Sequence, residues 1–182
     1  MSNSTDVSTE PVARFRELTD DQLAAWSGFL IAHARIVRAL DTELERAHGL
    51  PLTSYDVLIQ LSLVPDRRLQ MCDLADAIVL SRSGLTRLVD RLERAGLVER
   101  ERGEVDPRQV YARLTDRGLA ALAEATPTHA AGIKERFLGP LSKEQTRQLA
   151  AVWRALLGPE VERQVLEAVR KKELFTPRKE KT

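Results

Sequence analysis

The stretch from residue 81 to residue 102, SRSGLTRLVDRLERAGLVERER, constrains the fold of this chain more than any other. Ser81 is suited to cap a helix, because its hydroxyl can accept a hydrogen bond from a free backbone N–H of the first turn. Apolar residues then recur at helical spacing and form one stripe to bury, namely Leu85, Leu88, Val89 and Leu92. Gly96 supplies the left-handed residue that ends such a helix. The stretch therefore predicts an amphipathic helix that runs into a strand.

The face opposite this stripe carries polar and basic side chains. Close to the helix start they are Ser81, Arg82, Ser83, Thr86 and Arg87. Hydroxyls and guanidinium groups of this kind suit DNA phosphates and base edges in a major groove. Solvation of surface arginines is the alternative, and the neighbouring hydroxyls favour DNA contact. For Arg91 and Arg94 we expect a phosphate contact, or pairing with Asp90 or Glu101, rather than base reading.

Composition limits the classes of protein that remain. The chain has 182 residues and 43% hydrophobic content, which is enough for one compact core without disulfides or a structural metal. With a single cysteine, no apparent apolar run of membrane-spanning length and no secretion signal, we expect a cytoplasmic protein with no membrane partner. The net charge is only +1, so a DNA site must rest on locally placed arginines.

The first half of the chain reads as a tail and a long helix. Residues 1–17 are rich in Ser, Thr, Asp and Glu and predict a flexible tail. Over residues 18–50 apolar residues repeat every seven positions, and Trp26 and His33 share their stripe, which predicts a core or dimer-facing helix that ends near Gly49. Because this face exceeds what one small core needs, residues 18–50 predict a dimerisation helix.

Residues 51–118 predict a helix-turn-helix followed by a hairpin. Thr53 with Asp56 indicates a helix start, DRRLQ after Pro65 reads as a loop, and MCDLADAI reads as a short helix before the Ser81 helix. LVERER and QVYARL then predict two strands, and Thr115 caps the next helix. The predicted fold class is mainly α (α+β), with a winged helix-turn-helix lobe and a helical dimerisation region from the N- and C-terminal helices.

Residues 119–170 predict further dimerisation helices. Pro127 is expected to interrupt or restart the first, and SKEQ at residues 142–145 matches a capping box for a strongly apolar helix. Gly158 and Pro159 end that helix, and a last helix is predicted from about Val161 to Val169. Residues 171–182 form a basic tail that we expect to be solvated.

Enzymatic chemistry is not indicated. The sequence has no glycine-rich phosphate loop, and His33, His48 and His129 are scattered without metal-ligand spacing. Ser and His residues occur, but no spacing identifies a nucleophile with its base. We therefore expect neither an enzyme nor a bound cofactor or metal.

The layout resembles the MarR family of transcription regulators. The resemblance is carried by DLADAIVLSRSGLTRLVDRLERAGLVER and DPRQVYARLTDRG and spans roughly residues 20–157. It implies a homodimer that binds double-stranded DNA at a pseudo-palindromic operator, as a ligand-responsive repressor. It also implies that Arg108 at the wing tip enters the minor groove while Asp106 helps to position it. Pro107 and Gln109 depart from many relatives, which reduces the charge of the wing.

The same resemblance implies a small aromatic or anionic effector, bound between the dimer helices and the DNA-binding lobe. Trp26, His33, Arg35 and Tyr55 are the candidate lining residues. Two alternatives stay open at this point. Cys72 could make the protein a redox-responsive regulator, although a reactive cysteine needs an exposed thiolate and no second cysteine is present. A winged-helix interaction module that no longer reads DNA is the other, and loss of the basic face would have indicated it.

Overall fold

The computed structural model describes residues 17–103, 105–160 and 163. The elements follow in the order α1 (Asp20–His48), α2 (Leu52–Ser62), a 3-10 turn (Pro65–Arg67), β1 (Arg68–Gln70), α3 (Met71–Ala77), α4 (Arg82–Arg94), β2 (Val98–Arg102), β3 (Val110–Leu114), α5 (Asp116–Ile133), a π-helical turn (Lys134–Leu138) and α6 (Lys143–Leu157). Residues up to Arg38 and residues from Ala39 onward form two compact units, and each is described by itself. The predicted tails 1–17 and 171–182, except Glu17, and the predicted helix Val161–Val169, except Arg163, lie outside the described residues.

The first unit contains the N-terminal part of α1. Thr19 and Gln22 close a reciprocal cap, in which each side-chain oxygen accepts the other residue's backbone N–H at 2.9 and 3.2 Å. The long helix predicted from the seven-residue repeat is confirmed, and its apolar side chains are exposed, with Trp26 at 52% and Phe29 at 43%. The Phe29 ring lies 6.1 Å from that of Trp26 and 6.0 Å from that of His33. Trp26 and His33 are thus not core residues of this unit.

By length and composition alone, α1 also passes the test for a membrane-crossing helix. The expectation that no apolar run approaches such a length was wrong in this respect, because α1 contains an 18-residue stretch that is apolar on average and carries at most two charged residues. A single such helix is weak evidence for a membrane span, since core helices and signal sequences meet the same criterion.

The core of the second unit is built from α2, α3, α4, α5, the sheet and the end of α1. Its largest fully buried side chains come from all of these, namely Leu44, Leu58, Leu61, Leu74, Leu85, Leu122, Val57, Val89 and Val98. Burial of each such side chain stabilises the fold by roughly 1.5–3 kcal/mol. The helix-turn-helix of α3 and α4 is therefore held from behind by a continuous apolar layer.

The start of α2 differs from the sequence-based expectation. Thr53 and Asp56 do not cap this helix, which begins after Pro51 without a side-chain cap from that residue. Instead Asp41 of α1 accepts the Leu52 N–H through its carboxylate at 2.8 Å. A carboxylate at a helix N-terminus is favourable because it faces unpaired N–H groups and the positive end of the helix dipole. The cap comes from another element, so local sequence could not reveal it.

The sheet has three antiparallel strands in the order β1-β3-β2. Both predicted wing strands are confirmed. The prediction that DRRLQ forms a loop was wrong in part, because residues 68–70 form β1. Leu69 of β1 and Arg100 of β2 both face Ala112 in the register. Asp66 and Arg67, both with positive φ, make the sharp turn before β1. A three-residue strand gives too few positions for an alternating pattern.

The joint between the wing and α5 leaves no space for a side chain. Thr115 accepts the Gly118 N–H at 3.0 Å through its hydroxyl, which itself donates to the Gly96 carbonyl at 2.8 Å. A Cβ at Gly118 would lie 2.0 Å from the Leu97 carbonyl oxygen. The first turn of α5 therefore packs directly on the backbone that enters β2.

The C-terminal helices are partly as expected. The predicted interruption at Pro127 was wrong, because α5 continues through it to Ile133. Proline removes one backbone hydrogen bond from a helix, and the buried residues Ala125 and Gly132 on either side keep α5 continuous. The capping box at Ser142 and Gln145 is confirmed, and α6 ends at Gly158 with φ +83°.

We predict that Gly118→Ala lowers the free energy of unfolding by about 2–3 kcal/mol, because backbone atoms must shift to admit the methyl group. Urea unfolding followed by circular dichroism measures the change. Gly28→Ala is the matched control, because nothing lies within 4 Å of the added carbon. It replaces glycine inside a helix and should be neutral or stabilising by up to ~1 kcal/mol. Equal effects of both substitutions would contradict the tight joint.

Candidate nucleic-acid interface

The helix α4 begins at a side-chain cap. Ser81 accepts the Gly84 N–H at 3.1 Å through its hydroxyl, and the hydroxyls of Ser81 and Ser83 lie 3.3 Å apart. A Cβ at Gly84 would lie 3.1 Å from the Ser81 hydroxyl oxygen, so glycine leaves room for the cap. The predicted apolar stripe is confirmed, with all four of its residues at most 3% exposed. Its burial fixes which face of α4 points outward.

The outward face of α4 is basic. Arg82, Ser83, Arg87 and Arg91 are all exposed, and the structure shows no ion pair for these three arginines within the described residues. Thr86 is also exposed, but its hydroxyl donates to the Arg82 carbonyl at 2.9 Å. That hydroxyl can then only accept a hydrogen bond, so its predicted use as a donor to phosphate does not fit this conformation. The three arginines remain available to anions.

Arg100 of β2 binds α4 to the wing, and the sequence analysis missed it. Its guanidinium lies 2.6 Å from the Asp90 carboxylate and 2.5 Å from that of Glu93, and it donates to the Thr86 carbonyl at 3.1 Å. The Arg100 backbone N–H also donates to Glu93 at 3.1 Å. A signal was present, because Arg100 lies two residues after the buried Val98 and so shares its face, while two acids three residues apart lie on one face of α4.

The other charged residues at the base of the wing form ion pairs with one another. Glu101 lies 3.1 Å from Arg68 and 2.8 Å from Arg113. The Arg68 guanidinium also lies 4.0 Å from the centre of the Tyr111 ring. The hydrogen bond from Arg113 to Glu101 is the main reason why the pKa of the Arg113 guanidinium lies above its ordinary value. The sheet is thus fixed by charges on β1, β2 and β3 together.

The suggested pairing of Arg91 or Arg94 with Asp90 or Glu101 was wrong. The Arg94 side chain donates to the Asp90 backbone carbonyl at 3.1 Å. Both carboxylates are already engaged with arginines of the sheet. Arginines at the far end of α4 therefore do not neutralise these acids.

The wing tip is a turn held by Asp106. Its carboxylate accepts the Arg108 backbone N–H at 2.9 Å, and its carbonyl accepts the Gln109 N–H at 3.0 Å. A Cβ at Gly103 would lie 2.5 Å from the Asp106 carbonyl oxygen, so the strands close tightly. Asp106 thus shapes the backbone that presents Arg108, whose side chain is exposed.

An open cleft of about 530 Å³ lies beside α4. Its lining contains three arginines, one carboxylate and two leucines beside a threonine and a glycine, namely Thr53, Leu80, Gly84, Arg87, Leu88, Asp90, Arg91 and Arg94. None of the four effector residues proposed from the sequence lines it. The cleft shares Arg87 and Arg91 with the outward basic face.

The four proposed effector residues differ in their surroundings. Trp26, His33 and Arg35 belong to the first unit and are exposed. Tyr55 belongs to the second unit, where it is 4% exposed, with its hydroxyl 3.3 Å from that of Thr126 and its ring 4.5 Å from the His129 ring. Tyr55 is therefore a packed core residue of α2 in this conformation.

Burial shifts three titratable groups around α2 and α5. It raises the pKa of Tyr55 and lowers that of His129. It also raises the pKa of Asp56 to about 6. Each shift disfavours the charged form, as expected for a group taken out of water.

Among the described residues, no cluster of His, Cys, Asp or Glu has the arrangement of a metal site. Cys72 is half-buried at the start of α3, with its thiol 3.4 Å from the Asp73 carboxylate.

A basic helix beside a hairpin wing defines this protein as a winged helix-turn-helix DNA-binding protein. The MarR family model matches residues 48–109. The HTH-type transcriptional regulator MhqR of Bacillus subtilis is 32% identical over 118 residues, which make up 63% of this chain and 79% of that protein. The chain belongs to the MarR family of transcription regulators. Such proteins are not enzymes, in agreement with the sequence analysis.

Solved structures support the same assignment. AbsC, a MarR family transcriptional regulator from Streptomyces coelicolor, is 31% identical with a TM-score of 0.71, and the match covers 77% of this chain and 94% of that one. Sco3205 from the same organism, solved in complex with DNA, is 33% identical with a TM-score of 0.71 and coverage of 77% and 88%. The predicted winged helix-turn-helix fold is thereby confirmed, and the protein is a DNA-binding regulator.

We predict that Arg100→Ala lowers the free energy of unfolding by about 1 kcal/mol, since its partners are partly exposed and screened by solvent. The Glu93 and Asp90 carboxylates would then repel each other without a cation between them. Hydrogen exchange should quicken at the amides of β2, which tests the link to α4. Arg102→Ala, which removes an exposed arginine from the same strand, is the control. Equal exchange in both variants would contradict the proposed link.

We predict that Asp56→Asn stabilises the protein at pH 7.5 but not at pH 4. The folded-state pKa of Asp56, about 6, lies above its ordinary value of 3.8. The folded state therefore binds the Asp56 proton more tightly than the unfolded state, and the stability that this gives is complete at low pH and is lost as the pH rises through 6. Asparagine avoids the buried charge, and a gain of about 1 kcal/mol at pH 7.5 remains after solvent screening. Thermal unfolding across this pH range measures it, with Asp76→Asn as the exposed control. A gain that is independent of pH would contradict the prediction.

Proposed function

We propose that this chain is a ligand-responsive repressor that binds a pseudo-palindromic DNA operator as a cytoplasmic homodimer. The observation that carries the proposal is the exposed basic face of α4, which Arg100 fixes relative to the wing. A helix held in this way can enter a major groove with little loss of conformational entropy. Two such helices would occupy successive grooves, about 10 bp apart.

In the proposed complex, the start of α4 reads the major groove. Arg82 and Arg87 bond to base edges or phosphates, whereas Arg91 contacts a phosphate. Ser81 and Ser83 offer hydroxyls at the cap, and Thr86 accepts a hydrogen bond from a base amino group. The exposed positions of the side chains support these roles. Thr86 is an acceptor because its hydroxyl proton is already donated to the Arg82 carbonyl.

The wing adds a second contact. Arg108 enters the minor groove, where the narrow groove of A·T-rich DNA concentrates negative potential. Asp106 supports this role through its hydrogen bond to the Arg108 backbone N–H, which shapes the tip without neutralising the guanidinium. The contact adds affinity and a preference for narrow-groove sequences.

The dimer would be formed by the helices of residues 18–50 and 119–170, outside the winged lobe of residues 51–118. Exposed apolar side chains support this assignment, with Leu30 and Ile31 on α1 and Leu156 and Leu157 on α6. The dimer would repress transcription when its site overlaps a promoter. A small aromatic or anionic effector would release DNA by favouring a dimer whose α4 spacing no longer fits the grooves.

Two sites are candidates for the effector. Trp26, His33, Arg35 and Tyr55 remain the proposal from sequence, although binding at Tyr55 would require the core beside His129 to open. The cleft beside α4 is favoured by its cationic lining, since an anion there would occupy Arg87 and Arg91. Redox control through Cys72 has weaker support, because the thiol is half-buried.

We expect Arg108→Ala and Arg82→Ala to weaken binding to an operator selected from random DNA by the wild-type protein. Fluorescence anisotropy across a salt series is the measurement, and the stoichiometry should be two chains per operator. Each variant should lower the salt slope by about two, because the bound homodimer loses one cation from each of its two chains. Arg82→Ala should also relax sequence preference at one position per half-site.

Lys143→Ala is the matched control, because this exposed cation begins α6 rather than the basic face. Its affinity and salt slope should equal those of the wild type. Wild-type binding by both arginine variants would overturn the proposed roles of α4 and the wing. Equal weak wild-type binding to selected and scrambled DNA would favour an interaction module instead.

A further inference from the structure

Val79 occupies the turn of the helix-turn-helix in a conformation that disfavours valine. Its φ is +54°, in the left-handed region. The other two non-glycine residues with positive φ among the described residues are Asp66 and Arg67, so Val79 is the β-branched one. A branched Cβ crowds the following carbonyl oxygen in this region, which costs free energy. The turn would form more easily with glycine.

The hydrogen bonds of the turn explain why this conformation is required. The Leu80 N–H donates to the Ala75 carbonyl at 3.0 Å, and the Val79 N–H donates to the Asp76 carbonyl at 3.3 Å. This pair of bonds is the Schellman arrangement that ends a helix, and it requires a left-handed residue at position 79. The turn sets the angle between α3 and α4, so the backbone cannot relax without moving α4.

The Val79 side chain gains little packing from the described residues to offset this cost. It is 90% exposed, although the large apolar residues on the buried side of α4 are almost fully covered. An exposed valine also leaves apolar surface in water. Strained residues of this kind persist where the surrounding structure dictates their conformation, and they cluster at functional sites.

Val79 lies next to the residues proposed to contact DNA. It lies two residues before Ser81, so their Cα atoms are at most about 7.6 Å apart. Ser81, Arg82 and Ser83 follow as exposed residues at the start of α4, which is the part proposed to enter the major groove. The apolar group that a major groove presents is the C5 methyl of thymine.

We propose that Val79 is a specificity-determining residue that contacts a thymine methyl at the edge of each half-site. The inference rests on the proposed placement of α4 in the major groove. The two Val79 methyl groups meet the thymine methyl and remove it from water. Because neither group is charged, the contact distinguishes T from C at that position without adding to the salt dependence.

The test combines protein variants with altered DNA. Val79→Gly relieves the strain and removes the methyl groups, whereas Val79→Ala removes them and keeps a Cβ at positive φ. The DNA is the operator selected by the wild-type protein, with its thymidines replaced one at a time by deoxyuridine, which lacks the C5 methyl. Anisotropy gives the dissociation constant and thermal unfolding gives Tm.

We expect both variants to bind the operator roughly fourfold more weakly than wild type, with the same salt slope and the same affinity for scrambled DNA. Val79→Gly alone should raise Tm, by roughly 2–4 °C. One deoxyuridine position per half-site should weaken the wild type by a similar factor. The same replacement should leave Val79→Gly unaffected and should weaken Val79→Ala less than the wild type, because alanine keeps one methyl group.

Three results would overturn the proposal. In the first, both variants bind the operator as tightly as the wild type does. In the second, every deoxyuridine weakens the wild type and the variants equally. In the third, the variants lose as much affinity for scrambled DNA as for the operator. The last would assign Val79 to the DNA backbone. If the wild type selects no preferred sequence at all, the groove placement of α4 fails first, and the contact fails with it.

Discussion

The contact of Arg100 with α4 is the interaction on which the DNA-binding geometry depends. One guanidinium meets two carboxylates and a backbone carbonyl of the helix, although it belongs to the strand that leads into the wing. The apolar stripe fixes the rotation of α4 about its own axis, and Arg100 fixes its position relative to the hairpin. Arg100 thus adds a polar link to the apolar contacts that already hold the hairpin against the core. In the proposed homodimer, this link helps to keep the two basic faces at the fixed spacing of the grooves.

The acids around the wing acquire a clear role from this arrangement. Glu93, Asp90 and Glu101 lie close to a surface that must approach a polyanion, which by itself opposes DNA binding. Asp90 and Glu93 share Arg100, and Glu101 pairs with Arg68 and Arg113, so three arginines balance the three acids and the outward arginines of α4 dominate. A net charge of only +1 is therefore compatible with a DNA-binding surface.

The sequence predicted the elements whose signals are local. The Ser81 cap, the stripe of α4, the Gly96 stop and the Ser142 capping box each depend on residues within one or two turns. The Asp41 cap of α2, the short strand β1 and the Arg100 contact were not predicted, because each joins residues that are distant in sequence or too few for a pattern. Pro127 was misjudged since packing on both sides outweighs one lost hydrogen bond. The effector site is the least determined part, as the sequence named Tyr55 and the fold buries it.

The tight joint at Gly118 separates the wing into a rigid base and an adaptable tip. Strands β2 and β3 are anchored where Leu97 meets the first turn of α5, so they cannot tilt without displacing a core helix. At the tip, among the described residues 105–109, Asp106 shapes the backbone by accepting the N–H groups of Arg108 and Gln109. The length and charge of the tip can change in the course of evolution while α4 keeps its place. In the proposed DNA complex, regulators built on this joint could thus acquire new minor-groove preferences independently of the bases contacted by α4.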